Sequence, residues 1–272
     1  MRHAVFIPTF DELSDPRRVV DVAVAAEEAG WDGLFLWDHV LRWPGHVGPV
    51  GDTWTTLAGV AARTGRIRIG PQVTPVARWL PHRLARAAVS VDHMSGGRLT
   101  VGVGLGVDTD GEMSRFGENS DQRDLGARLD ESLDLMQALW SGSRVSHAGT
   151  HYQVADLAFE PRPLQRPRPP IWAASGIGRP RPLRRAARLD GLFPSEGTPE
   201  NLPPMLEVVA GERGTLDGYD VALPAFPGSD MDAFERAGAT WSLWHFYLEE
   251  GQVLRADDVL KAVAAGPAAR AR

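Results

Sequence analysis

Short apolar runs alternate with longer, periodic stretches along almost the whole of this chain. The runs Ala4–Thr9, Gly33–Trp37, Ile67–Val73 and Leu99–Gly104 are apolar at consecutive positions rather than at every second one. That pattern predicts strands buried on both faces, as in a parallel sheet. Pro170–Ala174, Gly191–Pro194, Tyr219–Ala225 and Ala239–Phe246 read the same way and bring the strand candidates to eight. Between them lie helical patterns over Arg17–Ala29, Thr53–Arg63, Pro81–Met94, Arg123–Trp140, Pro180–Leu189, Pro199–Gly211 and Met231–Gly238. In the longest, Leu125, Leu129, Leu133, Met136 and Leu139 form one apolar stripe. Gly30 and the Ser95-Gly96-Gly97 turn supply C-terminal stops.

The stretch Arg66–Gly106 is a complete βαβ unit, and its second strand ends in Gly102, Gly104 and Gly106. Glycines at a strand's carboxyl end let a flat ligand approach the backbone without meeting a Cβ. Eight such alternating units in 272 residues predict an α/β fold of one domain, a (β/α)8 TIM-like barrel spanning 1–272. Ser141–Pro169 breaks the alternation with a short polar hairpin candidate and a proline-rich approach to strand five. Proline at that density forces extended chain. The tail Ala262–Arg272 is expected to fray.

Composition narrows the chemistry. The chain has no cysteine, which excludes disulfides, Fe–S clusters and thiolate catalysis. A net charge of −6 provides no basic stripe for nucleic acid. The opening MRHAVFIPTF is too short an apolar run for a signal peptide, and no run reaches membrane-spanning length, so a cytoplasmic protein is expected. Lys261 is the only lysine and lies near the tail, which argues against Schiff-base chemistry.

Several separate blocks carry a resemblance. They are GWDGLFLWDH at Gly30–His39, the Arg66–Gly106 unit, RFGE at Arg115–Glu118 and RLDESLDLMQALWSG at Arg128–Gly142. PPIWAASG at Pro169–Gly176 and AARLDGLFP at Ala186–Pro194 follow in the same order. In these the chain resembles the bacterial luciferase-like monooxygenases, the superfamily of flavin- and deazaflavin-dependent barrel oxidoreductases. The resemblance implies a luciferase-like barrel that binds an isoalloxazine or deazaflavin ring at the carboxyl ends of its strands, where barrel active sites sit.

On that frame each strand end offers candidates. Asp38 and His39 close strand two, and a histidine there can exchange a proton near neutral pH. The resemblance implies a catalytic role for His39, with Trp43 walling the substrate side. It also implies a bulge at Gln72-Val73 with a non-proline cis peptide behind the ring, for which a cis bond at Thr74-Pro75 is the rival. Gly104 and Gly106 border the ring. Val107 stands where the sugar-phosphate dehydrogenase branch has a catalytic glutamate, which argues against that activity. Asp108 beside it is either a substrate contact or loop surface. Ala174, Ser175, Gly176, Ile177 and Gly178 lead into a helix whose free N–H groups can cradle a phosphate.

Near the end, Trp244 and His245 are candidate substrate contacts, with aromatic core packing as the alternative. His147 and His151 have the spacing of a metal pair but no carboxylate in their own loop, so no metal is expected. His93 reads as structural. Three readings follow. The first is hydride transfer between coenzyme F420 and a small organic substrate. The second is an FMN-dependent monooxygenase using reduced flavin and dioxygen. The third is a barrel that binds flavin without catalysis. A homodimer, and a separate flavin or F420 reductase, are expected as partners.

Overall fold

The computed structural model describes residues 1–42, 47–246 and 253–270. The eight expected strands are present: β1 (Arg2–Ile7), β2 (Gly33–Leu36), an interrupted third made of β3 (Arg68–Pro71) and β4 (Thr74–Pro75), and β5 (Val101–Gly104). A two-stranded hairpin follows, β6 (Arg144–Ala148) with β7 (Gln153–Ala158), and then β8 (Ile171–Ser175), β9 (Gly191–Pro194), β10 (Asp220–Ala225) and β11 (Trp241–His245). Outside the hairpin the named strands pair in parallel, in the order β3-β2-β1-β11-β10-β9-β8-β5-β4. The third strand closes the barrel by working in halves. β3 pairs with β2, β4 pairs with β5, and a bridge between Ile69 and Leu99 joins the two sides.

Helices α1 (Pro16–Glu28), α2 (Thr53–Arg63), α3 (Pro81–Met94), α4 (Gln122–Trp140), α5 (Pro180–Ala187), α6 (Leu202–Arg213) and α7 (Met231–Arg236) surround the barrel. α6 starts at Leu202 rather than Pro199, with proline in its first turn, where the missing N–H costs nothing. Helix extends into the tail within the described residues. α8 (Ala256–Ala264) buries Ala256, Val259 and Val263 against α1, and Trp31 Nε1 donates to the Val263 carbonyl at 2.9 Å. A short α9 (Pro267–Arg270) follows. Asp257, Asp258 and Lys261 between the apolar positions disguise that face in the sequence. No helix among the described residues is long and apolar enough to cross a membrane.

Side-chain parity divides the core. Residues facing the helices form one cluster, including Val5, Ile7, Leu34, Leu36, Val101 and Trp244. Residues facing the barrel interior form another, including Phe35, Trp172 and Trp241, whose rings meet at 5.1–6.0 Å. These three fully buried rings fill the bottom of the barrel, so its interior opens only at the carboxyl ends of the strands.

The excursion of residues 141–169 is held down by buried Asp92 of α3. Its carboxylate accepts from the backbone N–H groups of Leu164 and Gln165, at 2.6 and 3.0 Å, and from Gln165 Nε2. Glu160–Pro161 and Arg166–Pro167 are cis. His93 is exposed, and its Nε2 lies 2.7 Å from the Arg162 carbonyl.

Candidate functional site

The strand ends enclose one large cavity of about 1460 Å³ at the mouth of the barrel. Phe6 and Trp37, their ring centroids 5.7 Å apart, form part of its floor. Asp38 and His39 after β2, Gln72 and Val73 between β3 and β4, and Gly104 and Gly106 at β5 line one side. Ala174, Ser175 and Gly176 at β8, with Phe193, Phe226 and His245, line the other. Trp43 lies outside the described residues.

The Gln72–Val73 peptide is cis and Thr74–Pro75 is not among the cis bonds. The Gln72 amide is 2 % exposed, and neither its Oε1 nor its Nε2 has a partner among the described residues. A buried amide with both ends unpaired is costly unless a ligand completes it. The nearby glycines serve this bulge before they serve any ligand. A Cβ on Gly104 would stand 2.6 Å from Val73 Cγ2, and one on Gly106, which has a φ of +78°, would stand 2.8 Å from Pro75 Cβ. Strand four is bare so that the bulge can press against it.

Asp38 and His39 belong to a buried charged network. Asp38 Oδ2 accepts from Thr74 Oγ1 at 2.7 Å, and Trp54 Nε1 in turn donates to Thr74 Oγ1 at 3.0 Å. Burial pushes the Asp38 carboxyl above the ordinary range, against the opposing effects of the Thr74 hydrogen bond and the Arg78 charge. His39 Nδ1 lies 3.1 Å from Glu112 Oε1, a close pair bent away from the N–H line. Glu112 is 3 % exposed and its Oε1 also accepts from the N–H groups of Val40 and Leu41, at 2.8 and 3.0 Å. Arg78 stands between the two acids: Nη2 donates to the Asp38 carbonyl at 2.7 Å and Nη1 lies 3.6 Å from Glu112 Oε2.

Neither Glu112 nor Arg78 was among the sequence candidates. Both come from irregular segments, where no periodicity marks an inward-facing side chain. The RFGE block begins three residues after Glu112 and is the only nearby signal.

Four candidates fall elsewhere. Trp244 is fully buried among the residues facing the helices, because β11 alternates Trp241, Leu243 and His245 inward. Asp108 turns into its own loop, where Oδ1 accepts from the N–H groups of Met113 and Ser114, at 2.7 and 3.1 Å. Ile177 is exposed and Gly178 makes the turn into α5 with a φ of +67°; neither lines the cavity. His245 does line it. Its ring stacks on Phe226 at 4.7 Å, its buried Nε2 has no partner among the described residues, and burial pushes it down to about 4.

The outer wall is basic. α5 begins with a proline and no side-chain cap, so its first N–H groups remain available to an anion. Arg179, Arg181, Arg184 and Arg188 are exposed along the rim, and Arg123 of α4 faces them across it. Arg184 pairs with Glu212 and Arg188 with Asp134, while Arg185 bridges to Asp130 of α4 through Nε at 2.5 Å.

A carboxylate does serve His147 and His151, but it comes from α4. Glu131 lies 3.0 Å from His147 Nε2 and accepts from the N–H groups of His151 and Tyr152. Burial raises this acid, but those donors outweigh it and hold it down to about 2. The group pins the hairpin to α4. No cluster of three or more metal-ligating side chains occurs among the described residues.

Residues 1–236 match the family described as luciferase-like monooxygenase. An F420-dependent glucose-6-phosphate dehydrogenase of Nakamurella multipartita is 33 % identical over 241 residues, which are 86 % of this chain and 69 % of the relative. Among solved structures, an F420-dependent secondary alcohol dehydrogenase in complex with an F420-acetone adduct superposes with a TM-score of 0.79. It covers 97 % of this chain and 98 % of its own at 18 % identity. The monooxygenase RslO1 from Streptomyces bottropensis superposes at 0.72 with 24 % identity, covering 100 % of this chain and 82 % of its own. At these identities the structural likeness is one of fold.

Proposed function

The chain belongs to the luciferase-like monooxygenase family, and from that premise we propose that it is an oxidoreductase exchanging a hydride between coenzyme F420 and a small organic substrate. The observation that carries this reading is the pairing, in one cavity, of an unsatisfied Gln72 amide with the half-buried, carboxylate-paired His39. The first suits the polar edge of a flat ring, and the second suits proton exchange with a substrate. The choice of F420 over FMN rests on the F420-dependent relatives.

The residues fit such a group in size and chemistry. A pocket for one drug-sized ligand measures roughly 300–1000 Å³, so about 1460 Å³ accommodates a large coenzyme and a small second molecule. Gln72 and Val73 would back the ring, and Gly104 and Ala174 would border it. Gly176, the first turn of α5, Arg179 and Arg181 would receive its anionic extension. The chemistry such a coenzyme would supply there is hydride exchange at a ring carbon. His39 takes the proton from the substrate oxygen as its carbon is oxidised, or returns it in the reverse direction. Phe6, Trp37 and His245 give the cavity a largely buried aromatic lining, which disfavours water there.

The test is a fluorescence titration of the purified protein with coenzyme F420 and with FMN, each oxidised and reduced. Micromolar binding of F420 with FMN ignored is the expected result. Binding of FMN alone would replace the reading with the dioxygen-using chemistry of the family, and binding of neither would overturn it.

A further inference from the structure

We infer that Glu112 is the positioning residue for His39, holding its imidazole with Nδ1–H turned inward so that Nε2 is the atom left to exchange a proton with the substrate. The inference rests on the proposed role of His39 in proton exchange. Its ground is the geometry of one carboxylate that is almost wholly removed from water. Glu112 Oε1 meets His39 Nδ1 at 3.1 Å and collects the N–H groups of Val40 and Leu41, the two residues that follow His39 in the chain. It therefore fixes the histidine's backbone exit and its ring together.

An ionised carboxylate only accepts hydrogen bonds. Burial pushes Glu112 toward its neutral form, but the His39 contact, the Leu41 N–H and the Arg78 charge together hold it below the ordinary range. Although the contact is bent away from the N–H line, a bare Nδ1 only 3.1 Å from that oxygen would place two acceptors in contact, so Nδ1 carries the hydrogen. In the neutral ring Nε2 is then the basic atom, since the partner of one nitrogen decides the state of the other. Among the described residues no hydrogen bond is made to Nε2, and His39 lines the cavity.

The loop after β5 is built to deliver this acid. Val107 follows Gly106 directly and carries no charge, so the carboxylate arrives from five residues further on. The intervening turn is set by Asp108, whose side chain accepts from Met113 and Ser114, and by the hydrogen bond from Gly111 N–H to the Asp108 carbonyl. Asp108 thus works as the clasp of the turn that presents Glu112.

The experiment is nitrogen NMR of the free protein labelled at its histidine rings, recorded well above neutral pH, with the His39 signals identified by their loss in His39→Asn. The wild type is expected to show the Nδ1–H tautomer at His39. Glu112→Leu, shown to be folded by circular dichroism, is expected to lose that preference. Glu112→Gln is expected to keep it, because its amide oxygen still accepts from Val40 and Leu41. An Nε2–H tautomer in the wild type, an unchanged tautomer in folded Glu112→Leu, or its loss in Glu112→Gln would each overturn the inference. No coenzyme enters the measurement, so its outcome is separate from that of the F420 titration.

Discussion

The side-chain amide of Gln72 occupies the space that a methyl group on Gly102 would need, and the carbonyl oxygen of Pro71 borders the same space. A flexible side-chain end could swing away from an added Cβ, but the backbone of Pro71 cannot. Gly102→Ala is therefore expected to force the bulge off strand four and to cost about 1–3 kcal/mol, as overpacking of a core does. The check is the urea midpoint, which should fall without a change in slope. An unaltered midpoint would mean that the bulge has slack its packing does not reveal.

Asp38 gives a pH signature of the opposite sign to most acids. Its carboxyl is raised in the folded protein, chiefly by burial. Between the ordinary value of about 4 and that raised value, the folded state holds more protons than the unfolded one. Stability contributed by this group therefore falls as pH rises through the interval. Asp38→Asn is expected to be at least as stable as the wild type at neutral pH, and the difference should vanish below the ordinary carboxylate range. Thermal melting across pH measures it, and a variant clearly less stable at neutral pH would refute the assignment.

His245 acts at the acid end. Burial pushes it down to about 4, so between 6.5 and 4 the unfolded chain takes up a proton that the folded one refuses. Stability is full above 6.5 and declines as pH falls through this window, by about 3 kcal/mol once below it. His245→Phe keeps the stack on Phe226 and removes the titration. Its unfolding free energy should be flatter than that of the wild type over the same window. Parallel curves for the two proteins would show that the ring is more hydrated than its buried Nε2 implies.

Arg179 and Arg181 have no acidic partner among the described residues, unlike Arg184, Arg185 and Arg188. If the rim receives the anionic part of the coenzyme, the double variant Arg179→Ser/Arg181→Ser should weaken F420 binding by about three- to tenfold. That is the scale of two exposed charge pairs. The salt dependence of the titration should shrink with it. Equal affinity and an equal salt slope would place the anion elsewhere.

The barrel was legible in the sequence because parallel strands are apolar on both faces, and each apolar run stood between helical periods. The same property hid which way individual side chains point. Trp244 and His245 are neighbours in a run with no polar face. Only the register that pairs Arg2 with Trp241 sends one to the helices and the other to the cavity. Asp38, His39, Gln72 and Ala174 were readable because each sits directly at a strand end. Glu112 and Arg78 were not, since long-range hydrogen bonds rather than local pattern bring them inward. Ile177 and Gly178 follow Ser175 and Gly176 in the chain without lining the cavity themselves.

The cavity's two walls come from different kinds of structure. His39, Gln72 and Gly104 sit on or beside barrel strands; His39 is held by Glu112 of the loop after β5, and Gln72 and Gly104 by packing between the bulge and β5. The opposite rim, from Arg123 to Asp130 and from Arg179 to Arg188, is two helices tied by surface ion pairs. Substitutions on that rim can accumulate without disturbing His39, Gln72 or Glu112. If α5 holds the anionic part of the coenzyme, a lineage built on this plan can retune its grip on the coenzyme there, and a library confined to α4 and α5 is the economical place to change which coenzyme is held.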